Sequence, residues 1–181
     1  TLIRAVPIAL IALGFTVAYR AGALNIGGEG QFYAGAIAAT WVGLHLGRWP
    51  GALAIPAALA AAFAAGALWI TVPVLLRRRF GVQEVISTLL LNFVAEAVVS
   101  FAVTGPLQEP THIYPQSDMI AASAQLPKLV EGARMHLGLL LALLLAALLA
   151  VLLWKSRWGF TLRAVGAGPT AARVSGGIAA S

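Results

Sequence analysis

Five long apolar runs divide this sequence, and they restrict its possible folds more than any other feature. They cover residues 2–19, 31–46, 51–76, 84–104 and 135–154. A helix needs about 20 apolar residues to cross the hydrocarbon core of a bilayer; the second run is short for this, and the fourth contains polar residues. The runs predict an all-α, polytopic transmembrane helical bundle with about five spans, in a single membrane domain over residues 1–181.

Composition excludes several other classes of protein. Only 10% of the residues are charged, whereas a soluble domain carries about 25%. The absence of cysteine excludes disulfides, thiolate metal sites and cysteine nucleophiles. The three histidines have no carboxylate or second histidine at ligand spacing, so we expect neither a metal site nor a catalytic site. Because the chain begins with threonine and ends on a small apolar run, we expect further helices on both sides.

The positive charges lie in short segments that follow apolar runs. Three arginines occupy residues 77–79, and four basic residues lie between 155 and 173. An excess of lysine and arginine marks cytoplasmic loops, so we expect both segments in the cytoplasm; binding of anionic lipid by residues 77–79 is the alternative. Residues 105–134 carry three acidic and two basic residues and are expected outside. Topology therefore accounts for the net charge of +6, and no nucleic-acid partner is predicted.

A polar stripe runs along the fourth apolar segment. It consists of Glu84, Thr88, Asn92, Glu96 and Ser100, and because four residues advance about 400° around a helix, all five lie on one flank. A charged group near the bilayer centre costs roughly 2.5 to 3.5 kcal/mol, so this flank should face protein or water. Two interpretations remain open: a solute pathway, and hydrogen bonds that only join helices.

A glycine-rich segment at residues 21–31 separates the first two runs. Its four glycines lower helix propensity by about 1 kcal/mol each, so we expect a helix break, with Gly27, Gly28 and Gly30 permitting positive φ and close backbone approach. The break is either a cytoplasmic turn or an interruption within the membrane that presents backbone groups to a solute. A phosphate loop is excluded because the GxxxxGK[ST] pattern is absent. Small residues over 30–39 favour close helix packing.

The segment at residues 155–177 follows the last run. It contains a short helix-like piece, a Gly-Ala-Gly-Pro break and a second short piece. A basic, small-residue hairpin on the cytoplasmic face is suited to docking a partner. The alternative is an interfacial helix lying on membrane lipid, with Trp154, Trp158 and Phe160 as anchors.

Three segments together resemble one family. They are residues 25–31 (NIGGEGQ), 79–92 (RFGVQEVISTLLLN) and 157–173 (RWGFTLRAVGAGPTAAR). In this order they resemble the ABC-type uptake permeases related to branched-chain amino acid permeases, in the branch that takes up nucleosides and simple sugars. Residues 170–176 are similar to the Glu-Ala-Ala-x-x-x-Gly coupling motif of importers, with Thr170 in place of the glutamate.

The resemblance implies a multi-pass permease subunit in the bacterial inner or plasma membrane that translocates a nucleoside or simple sugar. Its implied partners are cytoplasmic ATP-binding subunits, a second permease subunit and an extracytoplasmic solute-binding lipoprotein. ATP and magnesium would bind the ATP-binding subunit, so we expect no cofactor and no enzymatic activity in this chain. Residues 155–177 would form the cytoplasmic coupling segment.

The candidate residues fall into two groups. Because hydroxyl-rich solutes need both donors and acceptors, the predicted solute pathway takes its side chains from the break and the stripe: Asn25, Glu29, Gln31, Thr88, Asn92 and Glu96. The resemblance assigns coupling to the ATP-binding subunit to residues of the basic segment: Arg163, Gly166, Ala171, Ala172, Arg173 and Gly176. The alternatives are an ion- or proton-coupled secondary transporter using Glu96 and Glu29, and a structural membrane subunit.

Overall fold

Six α-helices make up most of the part of the chain that the structure describes. The computed structural model describes residues 2–46, 48–128, 136–168, 170 and 172. Its helices are α1 (Leu2–Arg20), α2 (Gly28–His45), α3 (Gly51–Phe80), α4 (Glu84–Thr104), α5 (Gly138–Lys155) and α6 (Arg157–Ala167). No strand forms in the part of the chain that the structure describes, so the predicted all-α fold is confirmed.

Three of these helices, α3, α4 and α5, are long and apolar enough to cross a membrane by length and composition. Their large apolar side chains point outward: Phe63 on α3 is 80% exposed and Leu144 on α5 is 67% exposed. Apolar surface on this scale is unfavourable in water and suited to lipid. The chain is a multi-pass membrane protein. The segments predicted as the other two spans form α1 and α2, which are not among these three helices.

Some predicted boundaries were wrong. α2 begins at Gly28, three residues before the predicted start, because a side chain from another helix caps it, as described below. α3 continues through the three arginines to Phe80, since arginine is a good helix former. It ends at Gly81, which adopts φ 67° and whose N–H donates a hydrogen bond to the Arg77 carbonyl at 3.0 Å. α5 begins at Gly138, and residue 135 lies outside the described residues.

The chain divides into two compact units. Thr1–Asn25 and Pro127–Ser181 form the first, which contains α1, α5 and α6; Ile26–Leu126 form the second, which contains α2, α3 and α4. In the second unit α2 and α3 touch backbone to backbone. A Cβ on Gly35 would lie 3.1 Å from the Ala62 oxygen, and one on Gly66 would lie 3.3 Å from the Gln31 oxygen. The close packing expected of the small residues is therefore confirmed at Gly35.

The loop after α4 is organised around one carboxylate. Glu109 accepts hydrogen bonds from the Gln116 amide at 2.7 Å, the Thr111 hydroxyl at 2.7 Å and the Tyr114 backbone N–H at 3.3 Å. These bonds favour the ionised form. Led by the bond from Gln116, they hold the pKa of Glu109 below its usual value, and the nearby His112 acts in the same direction.

We expect the midpoint of the Glu109 titration to lie below the pKa of a free glutamate. Because its pKa is lowered in the folded chain, its bonds stabilise the loop at pH values above that of a free glutamate's pKa, and this contribution is lost as the pH falls through the lowered pKa. Carbon-detected NMR of labelled protein in detergent measures the midpoint. Gln116→Leu should raise it and Asp118→Asn should leave it unchanged; equal midpoints in the wild type and Gln116→Leu would contradict this account.

Candidate functional site

Asn92 on α4 caps the first turn of α2 from a different helix. The residue before α2 is Gly27, which has no side chain to accept a hydrogen bond from the first turn. The backbone N–H of Gly30 donates instead to Asn92 Oδ1 at 2.9 Å. The first four N–H groups of a helix have no partner within it, and a side-chain oxygen normally satisfies one from the N-cap position. Asn92 on α4 thus supplies, from another helix, the oxygen that an N-cap side chain normally supplies.

The same flank of α4 also binds Ile26, the residue before the N-cap Gly27. Asn92 Nδ2 donates to the Ile26 carbonyl at 3.1 Å, and the Ile26 N–H donates to Thr88 Oγ1 at 3.3 Å. Thr88 is only 2% exposed, and its hydroxyl lies 2.7 Å from the Glu84 carbonyl. Both backbone groups of Ile26 therefore bind α4. Of the two interpretations of the polar stripe, hydrogen bonding between helices therefore describes Thr88 and Asn92. We call the bonds from these two side chains to Ile26 and Gly30 the α4 bracket.

Gly30 is required for close approach rather than for an unusual backbone angle. A Cβ at this position would lie 2.8 Å from Trp69 Nε1 and 3.0 Å from Asn92 Oδ1. The expected use of positive φ by Gly27, Gly28 and Gly30 was wrong: Gly27 has φ −82° and the other two lie in α2. Among the described glycines, Gly22 and Gly81 take positive φ.

Trp69 on α3 was not predicted from the sequence as a functional residue. Its indole Nε1 is buried and has no hydrogen-bond partner, and it lies beside Gly30. Buried indole N–H groups usually find an acceptor. One feature of the sequence could have indicated it: Trp69 is the single tryptophan among the mostly small and aliphatic residues of α3.

The remaining members of the stripe have different surroundings. Glu84 pairs with Arg77 at the start of α4, whereas Glu96 and Ser100 are exposed. On α2, Glu29 is also exposed and accepts a hydrogen bond from the Tyr33 hydroxyl at 3.2 Å. Tyr33, which sequence reasoning missed, interacts electrostatically with both Glu29 and Glu96. The Tyr33 hydroxyl therefore bonds to Glu29, and the influence of Glu96 on it is the weakest of those acting.

The other predicted pathway residues are distributed between the units. Gln31 donates from Nε2 to the Gly66 carbonyl at 3.2 Å and so joins α2 to α3. Asn25 is half-buried and belongs to the first unit, whereas Glu29, Gln31, Thr88, Asn92 and Glu96 all lie in the second. Among the residues that the structure describes, no group of three histidine or acidic side chains could hold a metal ion.

Three of the six predicted coupling residues lie within the described part of the chain. Arg163 donates to the Leu153 carbonyl at the end of α5, and Gly166 lies against the backbone of Arg20. Ala172 is buried, and its N–H donates to the Gly168 carbonyl at 3.0 Å. Ala171, Arg173 and Gly176 lie outside the described residues.

Comparison with known proteins identifies relatives along nearly the whole chain. The family described as branched-chain amino acid transport system / permease component matches residues 1–177. The chain is 39% identical to the glucose ABC transporter permease protein TsgB13 of Haloferax volcanii, over 97% of this chain and 48% of that protein. It is 36% identical to the guanosine ABC transporter permease protein NupP of Bacillus subtilis, over 97% of this chain and 51% of that protein.

A third relative is the nucleoside ABC transporter permease protein NupB of Lactococcus lactis, which is 30% identical over 94% of this chain and 49% of that protein. The chain thus spans about half the length of the curated relatives it matches. No solved structure matches the chain.

The α4 bracket makes a stability prediction. Asn92→Leu should lower the free energy of unfolding by about 2–4 kcal/mol, because it leaves the Gly30 N–H and the Ile26 C=O without partners. Thermal unfolding in detergent measures the loss, and hydrogen exchange of the Gly30 amide localises it. Ser100→Ala is the matched control on an exposed position of the same helix and should change stability by less than about 0.5 kcal/mol. Unchanged Gly30 exchange in Asn92→Leu would refute the bracket.

Proposed function

Because the chain belongs to the branched-chain amino acid transport system permease family, we propose that it is part of the transmembrane permease subunit of an ATP-driven importer. The match over residues 1–177 carries this proposal. The substrate is a nucleoside or a simple sugar, a choice supported by relatives named for glucose, guanosine and nucleosides. The protein acts in the bacterial inner or plasma membrane.

The proposed assembly contains the partners that such a permease requires. Cytoplasmic ATP-binding subunits hydrolyse ATP and hold its magnesium ion, a second permease subunit completes the pathway, and an extracytoplasmic solute-binding lipoprotein delivers the solute. This chain contributes no catalytic residue. Its part in the cycle is to change conformation when the ATP-binding subunits close, so that the pathway opens to one side of the membrane at a time.

The glycine-rich break lies within the membrane in this proposal. Asn92, which holds the break, lies eight residues from the start of α4 at Glu84, or about 12 Å along the helix axis. An irregular backbone at such a depth is tolerated where protein or a water-filled cavity satisfies it. The α4 bracket supports this placement over a cytoplasmic turn, because it supplies the partners that water would supply outside the membrane.

The polar residues then divide into two roles. Thr88 and Asn92 position the break through its backbone. Glu29, Gln31 and Glu96 supply groups to the solute: the exposed carboxylates of Glu29 and Glu96 accept hydrogen bonds from sugar hydroxyls, and an amide both donates and accepts. An exposed carboxylate on a membrane-spanning helix is favourable only beside water or a partner, which supports placing Glu96 on the pathway.

Uptake into liposomes tests the proposal directly. The full-length permease, reconstituted with its genomic partners, should accumulate labelled guanosine or glucose only when ATP is supplied inside, and a protonophore should not abolish uptake. Accumulation without any ATP-binding subunit, abolished by collapse of the proton gradient, would overturn the importer in favour of a secondary transporter. Purification that repeatedly yields no ATP-binding subunit would count against it equally.

Glu96→Gln separates the pathway role from a structural one. Because the neutral amide replaces a charge-assisted hydrogen bond to the solute, KM for uptake should rise roughly tenfold or more, while the ATP-binding subunit remains bound. Ser100→Ala, one turn further along the same exposed flank of α4, should leave KM unchanged. Equal KM values for Glu96→Gln and the wild type would remove Glu96 from the pathway.

A further inference from the structure

α6 lies between the C-terminal ends of two other helices of the first unit. It follows α5 directly, with Ser156 as its N-cap, and its own C-terminal end reaches the last residues of α1. The predicted coupling motif at residues 170–176 comes immediately after α6. The contacts of α6 therefore determine how movement of that motif would reach the membrane-spanning helices.

The N-terminal end of α6 is attached to α5 without side chains between the two backbones. A Cβ on Gly159 would overlap the carbonyl oxygens of Leu152 and Leu153. The Ser156 hydroxyl accepts from the Gly159 N–H at 3.0 Å and donates to the Leu152 carbonyl. Arg163 donates to the Leu153 carbonyl. Residues of α6 and its cap thus satisfy carbonyls that the end of α5 leaves without helical partners.

The C-terminal end of α6 meets α1 in the same way. A Cβ on Gly166 would overlap the Arg20 carbonyl oxygen and would lie 2.9 Å from the Ala21 carbonyl carbon. On the opposite side, Gly22 takes φ 81°, and a Cβ there would lie 3.1 Å from the Gly166 Cα. Neither position accommodates a side chain, so the two backbones are in direct contact.

One aromatic ring connects all three helices. Trp154 near the end of α5 lies beneath two guanidinium groups: that of Arg163 on α6, 4.7 Å from the ring centroid, and that of Arg20 at the end of α1, 5.1 Å from it. Both distances are within the range of about 6 Å for cation–π attraction. Removal of the ring would release both contacts at once.

We propose that α6 is a fixed elbow that moves as one body with the ends of α1 and α5. Trp154, Gly159 and Gly166 are its positioning residues, and they pass movement at residues 170–176 to both helices. The inference rests on the proposed function and names the part of the chain that transmits the ATP-driven change. At Gly159 and Gly166 the backbones touch directly, so no side-chain rotation at these two points can absorb the movement, whereas a free joint at Ser156 would absorb it.

The test measures transport per ATP in the complete transporter reconstituted in liposomes. Trp154→Leu should lower the amount of guanosine or glucose taken up per ATP hydrolysed roughly tenfold, since it removes two cation–π contacts. The ATP-binding subunit should still co-purify and hydrolyse ATP. Trp154→Phe retains an aromatic face and should restore most of the coupling. Trp158→Leu is the matched control, because Trp158 is as exposed as Trp154, 58% against 59%, but within the described residues no guanidinium group lies over its ring.

Gly166→Ala gives a second, independent measurement. It should uncouple uptake from hydrolysis as Trp154→Leu does, whereas Gly14→Ala should not, because a Cβ on Gly14 in α1 meets nothing within 4 Å. If Gly166→Ala does not fold, the tryptophan variants decide. Normal uptake per ATP in Trp154→Leu, with the ATP-binding subunit bound, would overturn the elbow and leave the importer intact. A wild-type protein without an ATP-binding subunit would instead overturn the proposed function.

Discussion

The second unit depends on the hydrogen bonds that Asn92 makes with the glycine-rich break. An unpaired N–H or C=O within an apolar environment costs several kcal/mol, and the break exposes several such groups in its proposed position within the membrane. Asn92 suits this position because its amide both donates and accepts, so one side chain binds the Ile26 carbonyl and the Gly30 N–H together. This arrangement explains two glycines. Gly30 has no side chain and so lets the Asn92 amide approach the backbone closely. Gly27 has no side chain to cap α2, and the Asn92 amide supplies the missing acceptor.

Direct backbone contact between helices recurs in both units and has a common physical reason. In lipid, apolar side chains gain little by leaving their surroundings, so helices associate through close packing and hydrogen bonds rather than through a hydrophobic core. Accordingly, Ala54 and Ala95 are among the most buried residues, whereas Phe63 is 80% exposed. Gly35 against Ala62 in one unit and Gly166 against Arg20 in the other bring backbones together where any side chain would separate them.

The helices were largely predictable, because runs of apolar residues and the four-residue spacing of the polar stripe are local properties of the sequence. The α4 bracket was not. Asn92 bonds to residues that lie 62 and 66 positions earlier in the chain, and no local signal distinguishes an amide that binds a distant backbone from one that binds a solute. The start of α2 was misplaced for the same reason, since its cap comes from α4. Trp69 was missed because its burial beside Gly30 depends on the contact between α2 and α3.

The α4 bracket also restricts the spacing of the two exposed carboxylates, those of Glu29 and Glu96. Glu29 lies one residue before Gly30, which Asn92 holds, and Glu96 lies one helical turn after Asn92 on the same flank of α4. A shift of α2 along α4 large enough to separate the carboxylates would break the bond to Gly30 and leave backbone groups without partners in an apolar environment. The bonds of the bracket therefore hold the spacing of the two carboxylates, and the Tyr33 hydroxyl bonds to one of them, Glu29. In the proposed importer, discrimination between solutes rests on these two carboxylates, and opening of the pathway to one side or the other comes from movement of elements that the bracket does not join.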